Sequence, residues 1–140
     1  MLRLLKKITK LFKKEKVEPK IKTLEISEDI ILNIMDKLSE FEHKRGFLKQ
    51  VTLHSLAKKL GTNPKYLSKI INIHYEKNFS SYINDLRIEY LLKELEHDDS
   101  LKTQTVKAIG KKIGFGNTES FTKTFKKHTG VNPSNYLNTL

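Results

Sequence analysis

Eight polar side chains fall at helical spacing on two short stretches: Lys65, Ser68, Lys69 and Asn72 on one, Glu119, Thr122, Lys123 and Lys126 on the other. Residues three and four apart share a helix face, so each set makes a polar ridge. Ammonium groups suit phosphates, whereas hydroxyl, amide and carboxylate groups can tell base edges apart. No constellation for catalysis stands beside them. His43, His54, His74, His97 and His128 are scattered, without a His-Glu-x-x-His pattern or metal-ligand spacing. Asp98 and Asp99 sit in a turn, and Gly114-Phe115-Gly116 lacks the strand that precedes a dinucleotide loop. No enzyme, cofactor or metal site is expected.

The elements that must position these ridges are legible on either side of them. Val106, Ile109 and Ile113 form an apolar stripe on a short helix, and Gly114 ends it, because glycine takes the left-handed conformation a sharp turn needs. A second helix follows with Phe121 and Phe125 inward. Gly110 stands where the two crossing helices must come close. This is a helix-turn-helix pattern, and the chain contains it twice. Leu53, Leu56, Ala57, Leu60 and Gly61 answer Val106, Ile109, Gly110, Ile113 and Gly114 at an offset of 53. Leu67, Ile71, Ser80 and Tyr82 answer Phe121, Phe125, Ser134 and Tyr136 at an offset of 54, so the second turn holds one extra residue. In the first copy Asn63 caps and Pro64 starts the second helix, with Leu67, Ile70 and Ile71 inward.

The fold class expected is all-α, two helix-turn-helix subdomains joined by a long bridging helix. A first helix starts at Ser27, with Glu28 and Asp29 in its first turn and a stripe of Ile30, Ile34, Leu38 and Phe41. The first helix-turn-helix covers about 52–74, the bridge about 79–96 and the second pair about 105–129. On the bridge, Phe79, Tyr82, Ile83, Leu86 and Tyr90 share one side, and Ile88, Leu91, Leu92 and Leu95 lie opposite. Its early half should pack on the first copy and its later half on the second. His97–Thr103 reads as a polar connection, and Thr105 as the next cap. Pro133 and Ser134 begin a last helix whose Tyr136, Leu137 and Leu140 close the second core. Both polar ridges are expected on one side of the molecule.

With 27 basic and 16 acidic residues the 140-residue chain carries a net charge of +11, which favours a polyanionic partner, nucleic acid or an anionic membrane. Over half of that charge lies in residues 1–20, where eight basic residues face Glu15 and Glu18. The absence of cysteine excludes a disulfide framework and fits a reducing cytoplasm. No apolar run is long enough to span a membrane. Residues 1–26 are therefore set apart as a basic amphipathic segment and linker, and 27–140 as one helical domain. In the segment, Leu4, Leu5, Ile8, Leu11 and Phe12 share a face against lysines. A basic tail, a membrane-surface helix and a partner-pairing helix all fit that pattern.

The run GFGNTESFTKTFKKHTGVNPSNY, with its Phe125-Lys126-Lys127, Thr129-Gly130-Val131 and Pro133-Ser134 ending, resembles the C-terminal signature of the AraC/XylS family of bacterial transcription regulators. The resemblance covers about residues 27–140. It implies double-stranded DNA as partner, each recognition helix in a major-groove segment, and RNA polymerase as a further partner. It implies base or phosphate roles for Lys65, Ser68, Lys69 and Asn72 and for Glu119, Thr122, Lys123 and Lys126; Asn63, Tyr66, Arg87, Asn117, Ser120 and Lys127 complete the candidate DNA-contacting set. Arg87 carries a second reading, an ion pair that orients the bridge. Gly110 departs from the alanine usual in the family, losing about 1 kcal/mol of helix propensity. No small-molecule effector domain is evident. FEHKRGFL, LGTNPKYLSKIIN and FSSYINDLRIEYLLKEL look like a subgroup in which this module follows tetratricopeptide repeats and a membrane span. The alternative to DNA recognition is a membrane-surface or protein-interaction module acting through residues 1–20.

Overall fold

The computed structural model describes residues 26–140, and every regular element among them is helical. The readings of residues 1–25 lie outside the described residues. The α-helices are α1 Glu28–His43, α2 Leu53–Lys59, α3 Pro64–Tyr75, α4 Phe79–His97, α5 Val106–Lys112, α6 Thr118–Thr129 and α7 Pro133–Asn138. Two 3-10 turns, Gly46–Leu48 and Asp99–Thr103, interrupt the connections.

Ser27 starts α1 as its spacing predicts, its hydroxyl accepting from the Ile30 amide at 3.4 Å. The buried stripe is Ile31, Ile34, Met35, Leu38 and Phe41. Ile30, expected inside, is 39% exposed, because one residue rotates the helix face by about 100°. After α1, Arg45 takes a left-handed conformation (φ 59°) and turns the chain away.

The described chain divides into two compact units. The first holds residues 26–44 and 51–82, and the second residues 45–50 and 83–140. Residues 45–50, expected only to close α1, are thus a strap embedded in the second unit. Their hold there is polar: Arg87 donates to the carbonyls of Phe47 (2.6 Å) and Lys49 (2.9 Å), and Gln50 Nε2 donates to Gly114 O (3.0 Å). Phe47 also meets Tyr90 edge-on at 6.1 Å between ring centroids.

The strap changes the part played by α4. The boundary between units falls after Tyr82, so only the first turn of α4 belongs to the first unit rather than half the helix. Tyr90, expected on the first copy, packs on Phe47 of the strap instead.

In the first unit α2 packs on α3, with Leu56, Ala57, Leu60, Leu67, Ile70 and Ile71 buried. Burial pushes the Tyr82 hydroxyl pKa far up, with Tyr75 and Glu42 adding to it, so it remains a donor to Glu42 at 2.8 Å. In the second unit α5 packs on α6 and α6 on α7. Its core joins Ile88, Leu91 and Leu95 of α4 to Ile109, Ile113, Phe115, Phe121 and Phe125. Leu101 completes that core at 4% exposure, which makes Asp99–Thr103 a packed turn rather than a purely polar connection. Tyr136 stacks edge-on against Phe125 at 5.2 Å. Leu140 stays out, 52% exposed.

Gly110 owes its identity to packing. A Cβ there would meet Phe121 Cδ2 at 2.7 Å and Cγ at 3.0 Å, and those atoms lie close to the root of the side chain. The first copy has Ala57 and Leu67 at the matching positions, both buried, a larger residue on one helix and a smaller one on the other. Gly110→Ala should therefore lower stability by up to about 2 kcal/mol, overpacking outweighing the roughly 1 kcal/mol gained in helix propensity. A urea midpoint that rises in this variant would show that Phe121 retreats without cost.

Candidate nucleic-acid interface

Both turns are built by the same hydrogen bonds. In the first, Gly61 N donates to Lys58 O (3.1 Å) and Thr62 N to Ala57 O (2.9 Å); in the second, Gly114 N donates to Lys111 O (3.1 Å) and Phe115 N to Gly110 O (3.0 Å). Each is a closure in which the residues past the helix end reach back to its last carbonyls. Gly61 (φ 71°) and Gly114 (φ 101°) supply the left-handed residue. The extra residue of the second turn is Gly116, set between Phe115 and the cap Asn117. It leaves room for Phe115 to enter the core, 5.3 Å from the Phe121 ring.

The second helix of each pair starts on an asparagine. Asn63 Oδ1 accepts from the Tyr66 amide at 2.9 Å and Asn117 Oδ1 from the Ser120 amide at 2.8 Å. Any further contact from these two falls chiefly to Nδ2. On α3, with Leu67, Ile70 and Ile71 buried, Lys65 and Asn72 are exposed and Tyr66, Ser68 and Lys69 half-buried. On α6, Phe121 and Phe125 are buried, Glu119, Ser120, Lys123, Lys126 and Lys127 are exposed, and Thr122 is half-buried. Each helix thus brings its own candidate residues onto the face away from its core.

Arg87 is the correction. It is 6% exposed; besides the two strap carbonyls it donates to Asn84 Oδ1 (3.1 Å) and lies 5.4 Å over the Phe115 ring. Burial lowers its pKa from the ordinary arginine value. A guanidinium held this way reaches neither a phosphate nor the expected ion pair. Its acceptors are neutral: two backbone carbonyls and one side-chain amide oxygen.

Three features escaped the sequence reading. An open cleft of about 450 Å³ lies beside the start of α6, lined by Leu48, Gln50, Gly114–Thr118 and two lysines, Lys107 and Lys111. The lysines sit one turn apart on α5, a spacing that could have marked them. His128 Nε2 lies 2.7 Å from Asp85 Oδ1, a pairing across 43 positions that no local pattern reveals.

The third is the distribution of charge. The four helices of the two pairs, α2, α3, α5 and α6, hold ten lysines and one carboxylate, Glu119. Helices α1 and α4 hold nine carboxylates against Lys37, Arg87 and Lys93. Among the described residues no group of three His, Cys, Asp or Glu could hold a metal ion, and no helix is long and apolar enough to cross a membrane.

A family described as a helix-turn-helix domain matches residues 56–139. This chain belongs to the AraC-type helix-turn-helix family. Among relatives, it is 33% identical over 104 residues to the HTH-type transcriptional regulator YtdP of Bacillus subtilis, covering 74% of this chain and 13% of that one. Among solved structures it is similar to the C-terminal domain of AraT, a response regulator from Geobacillus stearothermophilus (TM-score 0.63, 25% identity, covering 76% of this chain and 85% of that one). A transcriptional regulator with an AraC-type DNA-binding domain from Chromobacterium violaceum shares the fold (TM-score 0.61, 16% identity, covering 77% and 91%). The chain spans little more than a third, at most, of the length of the curated relatives it matches first.

The caps give a direct test of how these helices are held. Asn63→Ala and Asn117→Ala should each lower stability by about 1 kcal/mol in urea denaturation followed by circular dichroism, with aspartate at either site retaining it. Equal stability of alanine and wild type would mean that the α3 and α6 amides find other acceptors.

Proposed function

We propose that this chain is a sequence-specific DNA-binding transcription regulator that places α3 and α6 in successive major-groove segments. The supporting observation is the charge segregation: ten lysines against one carboxylate on the helices of the two pairs. At physiological ionic strength charges are screened beyond about 8 Å, so what a phosphate meets is the local balance rather than the sum over the chain. Lysines of both pairs, with Lys107 and Lys111 beside the α6 cleft, set affinity and its salt dependence. Ser68 and Asn72 on α3, and Glu119 and Thr122 on α6, select bases.

On this reading residues 27–140 are the DNA-binding domain and the basic residues 1–26 add non-specific attraction. RNA polymerase is the protein partner and the cytoplasm the setting. Selection of duplexes from a random pool by the full chain should enrich one motif, with protected bases in two blocks about ten base pairs apart. Asn72→Ala or Glu119→Ala should relax preference at one position by about 1–3 kcal/mol, whereas Lys69→Ala or Lys107→Ala should weaken binding to every sequence and reduce the salt slope by about one. A pool with no enriched motif would remove the claim of specificity.

A further inference from the structure

Each recognition helix is anchored by polar side chains at both ends, while its outer face is left to solvent. In the first unit both anchors come from α1. Lys37 Nζ donates to Leu60 O in the turn before α3 (3.0 Å), and Glu42 accepts from the hydroxyl of Tyr75, the last residue of α3 (2.6 Å). In the second unit both come from the part of α4 just past the boundary. Arg87 holds the strap, whose Gln50 donates to Gly114 O in the turn before α6. Asp85 lies 2.7 Å from His128, next to the last residue of α6. Asp85 and Arg87 are the two buried charged side chains among the described residues, at 7% and 6% exposure.

We infer that Asp85 and Arg87 are positioning residues that set the base preference of α6 without touching DNA. The inference rests on the DNA-binding reading. Apolar packing of Phe121 and Phe125 holds α6 against its core but is non-directional, so it tolerates small rotations about the helix axis. Two polar anchors, one at each end, remove that freedom. The difference matters unequally for the two kinds of contact. A hydrogen bond to a base edge fails with an ångström of displacement or a poor angle, whereas the attraction of a lysine for a phosphate falls off slowly with distance. Loosening an anchor should therefore cost discrimination before it costs affinity, and only at the bases that α6 reads.

The test uses the full chain with its preferred duplex and a panel carrying every single base change. Glu119→Ala identifies the block read by α6, and Asn72→Ala the block read by α3. Asp85→Ala and His128→Ala should each lower discrimination in the α6 block about tenfold, with the double variant no worse than Asp85→Ala alone. The α3 block and the salt slope should be unchanged. Asp85→Asn, which keeps an acceptor for His128, should restore the preference. Arg87→Lys should not, because one ammonium does not reproduce the guanidinium fork on two carbonyls. Tyr75→Phe should give the mirror result, lost discrimination in the α3 block alone.

Circular dichroism melting of each variant establishes that it is folded, and lysine rather than alanine at 87 keeps a cation on the strap. The inference is overturned if discrimination falls equally in both blocks, or if affinity falls with preferences intact. Loss of all preference in the wild-type chain is a separate result, and it would overturn the DNA-binding reading itself.

Discussion

A guanidinium that is 6% exposed must find acceptors inside the protein, since burying it without them costs several kcal/mol. Arg87 finds them on chain laid down about forty positions earlier, the carbonyls of Phe47 and Lys49. Both are main-chain groups at the end of the short 3-10 turn Gly46–Leu48, where no continuing helix or sheet ladder would otherwise satisfy them. Donor and acceptors thus solve each other's problem. The consequence is topological: residues 45–50 belong to the second unit although α1 and α2 on either side belong to the first. No single cut in the sequence separates the two units, and the family match that begins at residue 56 leaves out a segment the second unit contains.

The two copies reach the same local geometry with different residues, and the differences are coupled. Gly116 lengthens the second turn, which lets Phe115 occupy the core where the first copy has a half-buried threonine, Thr62. Phe115 then gives Arg87 a ring to lie over. Phe121 in place of Leu67 requires Gly110 in place of Ala57, because the helix crossing has room for only one of the two larger residues. A substitution judged alone, such as glycine inside a helix, looks like lost stability. Taken with its neighbour across the crossing, it is the small half of a volume exchange.

What could be foreseen from the sequence follows from the range of the interactions involved. The caps at Ser27, Asn63 and Thr105 and the left-handed Gly114 arise from residues within one or two turns of each other, the close approach of Gly110 to Phe121 spans only the eleven positions of one helix pair, and all were legible. The stripe on α1 was displaced by one position because Ile30 and Ile31 are adjacent and equally apolar, and only the packing of the whole unit decides between them. The strap, the Asp85–His128 pair and the burial of Leu101 depend on contacts across many positions or on the finished core, which periodicity does not record. Arg87 was misassigned for the same reason. An arginine between the two apolar sides of a helix looks like a surface cation until the carbonyls that enclose it are known. For the candidate interface, the outward faces of α3 and α6 followed from helix geometry, whereas Lys107 and Lys111 gained meaning only with the cleft they line.

The segregation of charge also has a structural side. The acceptors that anchor the outer ends of α3 and α6 are carboxylates, Glu42 on α1 and Asp85 on α4. The groups they hold are a tyrosine hydroxyl and an imidazole rather than lysine ammonium groups. Had the scaffold helices been basic, the same two anchors would have needed acceptors on α3 and α6. Those acceptors would have been carboxylates or amides near the polar ridge, weakening the local field of the lysines. Placing the carboxylates on α1 and α4 fixes the far ends of α3 and α6 and leaves the outer faces of those helices cationic. That is why a modest excess of lysine beyond residue 20 is compatible with a strongly one-signed surface on the four helices of the two pairs.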